Sequence, residues 1–394
     1  MKTSKMTAER AKSLRRLAEM MNTRHRNPFP ISKPLLDCFD VAITSEEADL
    51  LVRLGTKPFA RTQAASLSQL SEEEFRLLFE GLVRKGLISP QLTDGGEVFS
   101  LSGIMLGWFE VYLSDGQMTP EKREFARRLD ALFKSWGRLN VFPLRLLLNR
   151  LYLKNPKPLQ SIVAVGGPGE RTVSRRIPVG ETVAAGPMKV YPAKTVQALI
   201  EKHGATNSIA AVHCFCRQYH KLVDEPCRFD LPPQSCVVIG PLSHHAVKNG
   251  AGRFISKDEA TSLISSLQQK GAVHQVFHQN EDVDQPEIAI CNCCWDCCGV
   301  LGSYSRAIMP LHLKSYFEAQ LPDASLCNAC STCVDFCPVQ AIALVDGRAS
   351  INSRKCIGCG QCELQCPEDA IRLLPHERNV ILPLPRRSQA RIPW

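Results

Sequence analysis

The chain has 394 residues, 44% hydrophobic and 22% charged, with a formal charge of +9 and 18 cysteines. That length exceeds one small redox module and predicts about two to four domains, with an apolar fraction that supports packed cores. No apolar run approaches the ~18 residues of a membrane span, and cysteines at this number in a chain expected to be cytoplasmic read as metal ligands or redox groups instead of disulfides.

Residues 1–30 are expected to form a basic N-terminal helix or tail. Lys2, Lys5, Arg10, Lys12, Arg15, Arg16, Arg24 and Arg26 stand against Glu9 and Glu19, a local charge of +6. Arg15-Arg16 is followed by Leu-Ala-Glu-Met-Met-Asn where an export signal needs an apolar stretch, so a cytoplasmic start is expected. Residues 379–394 form a second basic tail. Four arginines in 375–394 against Glu377 give +3, which leaves the body of the chain neutral. Such tails solubilise or dock on acidic partners more often than they read nucleic acid.

Residues 31–153 read as short helices followed by a hairpin. Ser45 caps a helix that Gly55 closes, and residues 61–68 form a second. Ser71 and Glu74 make a capping box opening a helix over Glu72–Lys85, with Phe75, Leu78 and Leu82 on one face. Leu87–Ser89 and Val98–Leu101 are expected to pair across Asp94-Gly95-Gly96. This arrangement resembles winged-helix domains of bacterial regulators. A DNA-reading winged helix sets the start of its recognition helix in the major groove. Here that start is Glu72, Glu73 and Glu74, and charge repulsion favours a protein-docking role over DNA. Residues 119–153 follow as two helices, the first capped by Thr119 with Pro120 at its first position. Its apolar stripe is Phe125, Leu129, Leu132, Phe133 and Trp136.

Residues 154–310 are a cysteine-rich α/β middle domain. Residues 154–192, rich in glycine, proline and valine, read as strands or a linker. Gly166-Gly167-Pro168-Gly169 lacks the lysine of a phosphate loop and reads as a turn. Ser208–Val212 is expected as a buried strand delivering Cys214 and Cys216 to a loop. Ser256 caps a helix ended by Gly271, and His274 and His278 read as strand residues instead of ligands. Ile288–Ile290 is expected as a strand feeding Cys291, so that two cysteine loops on neighbouring strands converge. Candidate metal ligands are Cys214, Cys216, Cys227, Cys236, Cys291, Cys293, Cys294, Cys297 and Cys298, of which the last five fall within eight residues. Thiolates select iron–sulfur clusters, zinc or copper(I). A third iron–sulfur centre is expected ahead of zinc or reactive dithiols, and the ligating subset stays open.

Residues 311–378 carry the strongest signal. Cys327, Cys330, Cys333 and Cys337 stand at C-x-x-C-x-x-C-x-x-x-C before Pro338. Cys356, Cys359, Cys362 and Cys366 repeat the spacing 29 residues later before Pro367. Ala341, Ile342 and Leu344 recur as Ala370, Ile371 and Leu373, and Asp346-Gly347 reads as a hairpin turn between the halves. Two such runs are the ligand signature of two [4Fe–4S] clusters, the fourth cysteine of each run serving the other cluster. Cys327, Cys330, Cys333 and Cys366 are therefore assigned to one cluster, and Cys356, Cys359, Cys362 and Cys337 to the second. Residues 323–375 resemble bacterial two-cluster ferredoxins, which implies one-electron transfer at low potential without substrate chemistry.

The middle segment resembles a group of dicluster ferredoxin proteins through Cys214-Phe215-Cys216-Arg217, Cys227, Cys236, Gly252-Arg253 and Cys291-Asn292-Cys293-Cys294. With the ferredoxin part, that likeness covers roughly residues 190–375. The expectation is an α+β multidomain electron carrier or oxidoreductase component with a redox partner protein. A redox-sensing transcription regulator, or a reductase with its active site at the middle cysteines, are the alternatives. No serine–histidine–acid set, phosphate loop or paired carboxylates point to hydrolase or transferase chemistry.

Overall fold

The computed structural model describes the chain outside residues 1–5, 25–28, 94–95, 142–143, 148–149, 151–159, 164–192, 205–207, 279–286, 309–310, 316, 376–380, 384 and 393–394. The turn expected at 94–95 and the Gly166–Gly169 string lie outside the described residues. So does most of 154–192. Helices and strands are mixed, and the chain divides into two units: 1–135 with 212–225 and 244–253, and 136–211 with 226–243 and 254–394.

The first unit begins with α1 (Ala8–Asn22), whose Leu14, Leu17, Ala18 and Met21 are fully buried. The basic N-terminal stretch is thus a core helix with Lys12, Arg15 and Arg16 on its exposed face. Next come α2 (Lys33–Ala42), α3 (Ser45–Leu54), α4 (Arg61–Ser68) and α5 (Glu72–Arg84). The cap of α3 is Thr44, one residue before the expected Ser45. Thr44 and Glu47 form a reciprocal capping box, whereas Ser45 already lies in the helix. Gly55 closes α3 with φ +79°, a conformation that favours glycine. Ser71 and Glu74 make the expected capping box of α5. The buried face of α5 runs through Phe75, Phe79 and Leu82; Leu78 is only half-buried. Strands β1 (Ile88–Thr93) and β2 (Gly96–Leu101) pair antiparallel, Ile88 opposite Leu101. A short helix, α6 (Phe109–Leu113), and α7 (Pro120–Arg138) follow, with Thr119 Oγ1 accepting from the Lys122 N–H at 3.2 Å. Trp108, Phe109, Tyr112 and Phe125 pack edge-to-face or tilted, with ring centroids between 4.7 and 6.4 Å apart. Trp136 is half-buried.

The second unit holds most of a sheet ordered β3-β7-β8-β5-β4-β6, of which 212–213 and 252–253 are assigned to the first unit. The strands are β3 (Gln160–Val163), β4 (Ile209–His213), β5 (Gln234–Ile239), β6 (Gly252–Phe254), β7 (Val273–His278) and β8 (Glu287–Cys293). Helices Ala193–Gly204 and Lys257–Gln269 contribute Val196, Leu199, Ile200, Ala260 and Ile264 to a core with Ile209, Val237, Val276 and Ile290. Ser256 Oγ accepts from the Glu259 N–H and caps the second of these helices. His274 and His278 lie buried in β7, as strand residues. Burial pushes His274 down to about 4, so it is a neutral partner of Asn292 at 2.6 Å.

The C-terminal part of this unit holds β9 (Leu311–Leu313), β10 (Phe317–Gln320), β11 (Ile342–Val345), β12 (Arg348–Ile351), β13 (Arg372–Pro375) and β14 (Ile381–Pro383). β11 and β12 form the expected hairpin, Val345 opposite Arg348, with Asp346 and Gly347 at φ +50° and +70°. β10 pairs with β13, and β14 with β9, so 381–383 is a paired strand within the expected basic tail. Among the described residues, no helix is long and apolar enough to cross a membrane.

Candidate metal centres

Each C-x-x-C-x-x-C run winds a loop into one short helical turn, Thr332–Phe336 or Gln361–Leu364. The prolines after Cys337 and Cys366 cannot extend those turns, and the chain leaves for the next strand. The consequence is a crossing of the two runs. Cys327, Cys330, Cys333 and Cys366 line one cavity of about 330 Å³, with Leu344, Ala349 and Ile371. Cys337, Cys356, Cys359 and Cys362 line a second of about 310 Å³, with Val339, Ile342 and Ile357. Apolar side chains line much of both cavities, and Asn328, Ser331 and Glu368 also line the first.

Backbone N–H groups point at sulfur in a repeated pattern. Ala341 donates to Cys337 Sγ at 3.1 Å, and Ala370, its counterpart 29 residues on, donates to Cys366 Sγ at 3.3 Å. Ala349 donates to Cys327 Sγ at 3.4 Å. Such bonds stabilise thiolate and tune bound iron. Burial divides the two sets. Cys330 is exposed, and hydrogen bonds from Thr332 hold its thiol below the usual range. Burial pushes Cys333 up to about 11 and also raises Cys359 and Cys362. The donor sets, cavities and N–H···S bonds fit two clusters.

The middle cysteines are carried by several elements, and two groupings stand out within the second unit. Cys214 and Cys216 fall in the first unit, where Cys214 is the N-cap residue of the helix Phe215–Leu222 and Cys216 lies within it; the expected loop is helical. Strands β4 and β8, expected as neighbours, are separated in the sheet by β5, which carries Cys236. Cys291 and Cys293 lie inside β8, not on a loop beyond it.

Within the second unit, Cys293 shares hydrogen bonds with Cys291 and Cys298, and these bonds together with burial hold its thiol well above the usual range. Cys298 Sγ accepts from the Val300 and Leu301 N–H groups, each at 3.3 Å. The β5–β8 register, Val237 opposite Ile290, carries Cys236 level with Cys291 on the same sheet face. The second group is Cys227, Cys294 and Cys297, joined by Asp296. Burial and the Cys227 thiol raise Cys294, while bonds to Cys227 and Cys294 raise Cys297. Protonated, these thiols form buried hydrogen-bonded sets; a cation that displaces the protons converts the same atoms to ligands. Cys38 is a core residue of α2, its thiol raised by burial.

Two residues were missed by the sequence reading. Asp296 was signalled by its place between Cys294 and Cys297. Arg391 carried no local signal: its guanidinium donates to the carbonyls of Cys337 and Asp335 and lies 3.7 Å from the Trp295 ring centroid.

Comparison with known proteins agrees with the ferredoxin signature. Residues 320–367 match the family described as the 4Fe-4S dicluster domain. Over 83 residues the chain is 31% identical to an uncharacterized ferredoxin of Methanocaldococcus jannaschii, covering 21% of this chain and 50% of that protein. A second uncharacterized ferredoxin of that organism is 46% identical over 48 residues, 12% of this chain and 29% of its own. A tetrathionate reductase subunit of Salmonella typhimurium is 44% identical over 55 residues, 13% of this chain and 22% of that protein. The matched region spans half or less of these relatives, and no solved structure matches the chain. Residues 320–367 are therefore a 4Fe–4S dicluster ferredoxin domain, near the C-terminus of a larger α+β chain.

Proposed function

We propose that the chain is an electron-transfer protein that passes low-potential electrons between a donor and a partner redox protein. Cys327, Cys330, Cys333 and Cys366 would hold one [4Fe–4S] cluster, and Cys356, Cys359, Cys362 and Cys337 the other. The observation that carries this reading is the pair of cysteine-lined cavities, each built from three cysteines of one run and the fourth of the other. Bound there, the clusters supply reversible one-electron transfer. The chain's part is to fix their separation, to direct N–H groups at sulfur, and to leave the Cys330 side open to a partner while burying the Cys359 side.

Cys236, Cys291, Cys293 and Cys298 are the donor set for a third iron–sulfur centre. Cys293 and Cys298 share one apolar core with Cys333, Cys337, Cys356, Cys359 and Cys362, which supports electronic continuity with the ferredoxin part. Likeness to a reductase component over the ferredoxin segment supports service to a catalytic partner. The helices α2–α5 with the β1–β2 hairpin are assigned as a winged-helix-like docking module.

Iron and acid-labile sulfide, measured on anaerobically purified chain, test the reading. The ferredoxin cysteines account for about eight irons and the third centre raises the total to about twelve. Saturation at eight removes the third centre; fewer than eight with all cysteines reduced removes the dicluster reading.

A further inference from the structure

We infer that Cys227, Cys294, Asp296 and Cys297 bind one tetrahedral ion of the zinc class, separate from every iron–sulfur centre. The inference refines the proposed role of the middle cysteines and concerns a donor set disjoint from that of the third cluster.

Spacing is the first argument. The four donor atoms all lie within 4.8 Å of one another, with Cys227 Sγ 3.5 Å and Cys297 Sγ 2.8 Å from Cys294 Sγ. A tetrahedral ion with bonds of ~2.3 Å to sulfur holds its ligand sulfurs about 3.8 Å apart. In a cubane each thiolate binds its own iron and points outward, so the ligand sulfurs stand much farther apart. The ferredoxin cysteines provide the comparison inside the same chain. Among the described residues neither ferredoxin set forms a group this tight, and neither does Cys291 with Cys293 and Cys298.

Donor chemistry is the second argument. Cys294-Trp295-Asp296-Cys297 offers two thiols at the C-x-x-C spacing of structural zinc sites, and Cys227 supplies a third from far along the chain. Asp296 is only 4% exposed; its Oδ2 accepts from the Arg228 N–H at 2.7 Å and its Oδ1 lies 3.8 Å from Cys227 Sγ. A carboxylate buried among three thiols suits a divalent ion of borderline softness and disfavours copper(I). Cys294 and Cys297 are 1% and 2% exposed, and Leu231, Leu267 and Ala272 pack against them. That enclosure gives a closed, structural site instead of a catalytic one with an open position. Its effect would be to pin the 227–231 segment to the turn after β8, and so to fix Trp295 beneath Arg391.

Zinc is measured on the full chain, purified anaerobically with its clusters in place. About one zinc per chain is expected, with zinc-edge X-ray absorption giving three sulfurs at ~2.3 Å and one light atom at ~2.0–2.2 Å. Cys294→Ser and Cys297→Ser should lose zinc and keep the iron count, and Asp296→Asn should weaken zinc at least tenfold in chelator competition. Three results would overturn the inference: wild-type chain that neither contains nor takes up stoichiometric zinc, a shell of four sulfurs, or a Cys294–Cys297 disulfide. Loss of iron from a folded Cys294→Ser variant would also overturn it, by assigning these thiols to a cluster. The wild-type measurements need no variant to fold. A total of eight irons with zinc intact removes only the third cluster, so the two readings fail separately.

Discussion

Single residues set the electrostatic surroundings of the candidate centres, and Arg391 is the clearest case. Its backbone N–H donates to the Ser305 carbonyl at 2.8 Å, and its half-buried guanidinium reaches the carbonyl of Cys337. Burial pulls the guanidinium pKa down from its usual value, the cost of holding a cation there. Reduction adds negative charge to a cluster, so a neighbouring cation favours the reduced state. Arg391→Gln should therefore lower the potential of the cluster ligated by Cys337, on the order of tens of millivolts for a charge in a medium of intermediate dielectric. A spectroscopic redox titration in which both potentials stay unchanged would remove Arg391 from the account. Nothing in 379–394 announced this. The reading of a solvated basic tail rested on composition, whereas Arg391 acts through contacts 54 residues back along the chain.

At the scale of elements, what was legible were the signals confined to one turn of chain. The Ser71–Glu74 capping box, the Asp346-Gly347 hairpin and the Pro120 helix start all follow from the residues next to them. Strand order did not follow, because β5 enters between β4 and β8 through long-range pairing. The α5 start bears on the docking module. Glu72, Glu73 and Glu74 complement the positive end of the helix, and Arg76 pairs with Glu73 at 2.6 Å and Glu80 at 3.1 Å. Their observed role is local; under the proposed docking reading the same carboxylates would also repel phosphate. Duplex DNA should bind weakly and without sequence preference, through exposed cations such as Lys12, Arg15 and Arg16 on α1. Deleting 1–30 cannot test this, since Leu14, Leu17 and Met21 are core residues. The triple change Lys12→Glu, Arg15→Glu and Arg16→Glu keeps the core and should abolish most binding. Each lost phosphate contact should flatten the log–log salt dependence by about 0.9. Tight, sequence-selective binding that survives the triple change, read by fluorescence anisotropy at two salt concentrations, would favour a regulator over an electron carrier.

Across the whole molecule the decisive contacts join residues far apart in sequence, and there the sequence was informative only where a repeat encoded the pairing. The spacing of the two cysteine runs was enough to propose crossed ligation. No comparable repeat links Cys227 to Cys294, so that group stayed hidden among nine candidates. The crossing has a direct test. Cys337→Ala removes a thiol from the cavity of Cys356, Cys359 and Cys362, whose cluster should fall to a labile three-iron type, while the set of Cys327, Cys330, Cys333 and Cys366 stays whole. Cys366→Ala should do the reverse. The two clusters identify themselves by exposure: the one beside exposed Cys330 should yield iron to a chelator faster than the one beside buried Cys359 and Cys362. In the Cys337→Ala variant the damaged cluster should thus be the protected one. Electron paramagnetic resonance combined with timed chelation reads both properties. Damage by each substitution to the cluster of its own run would sink the crossed assignment. The consequence reaches beyond ligand identity. If each run holds both clusters, neither loop can move without straining the other, and the distance between clusters stays fixed through many turnovers, as rapid electron transfer between them requires.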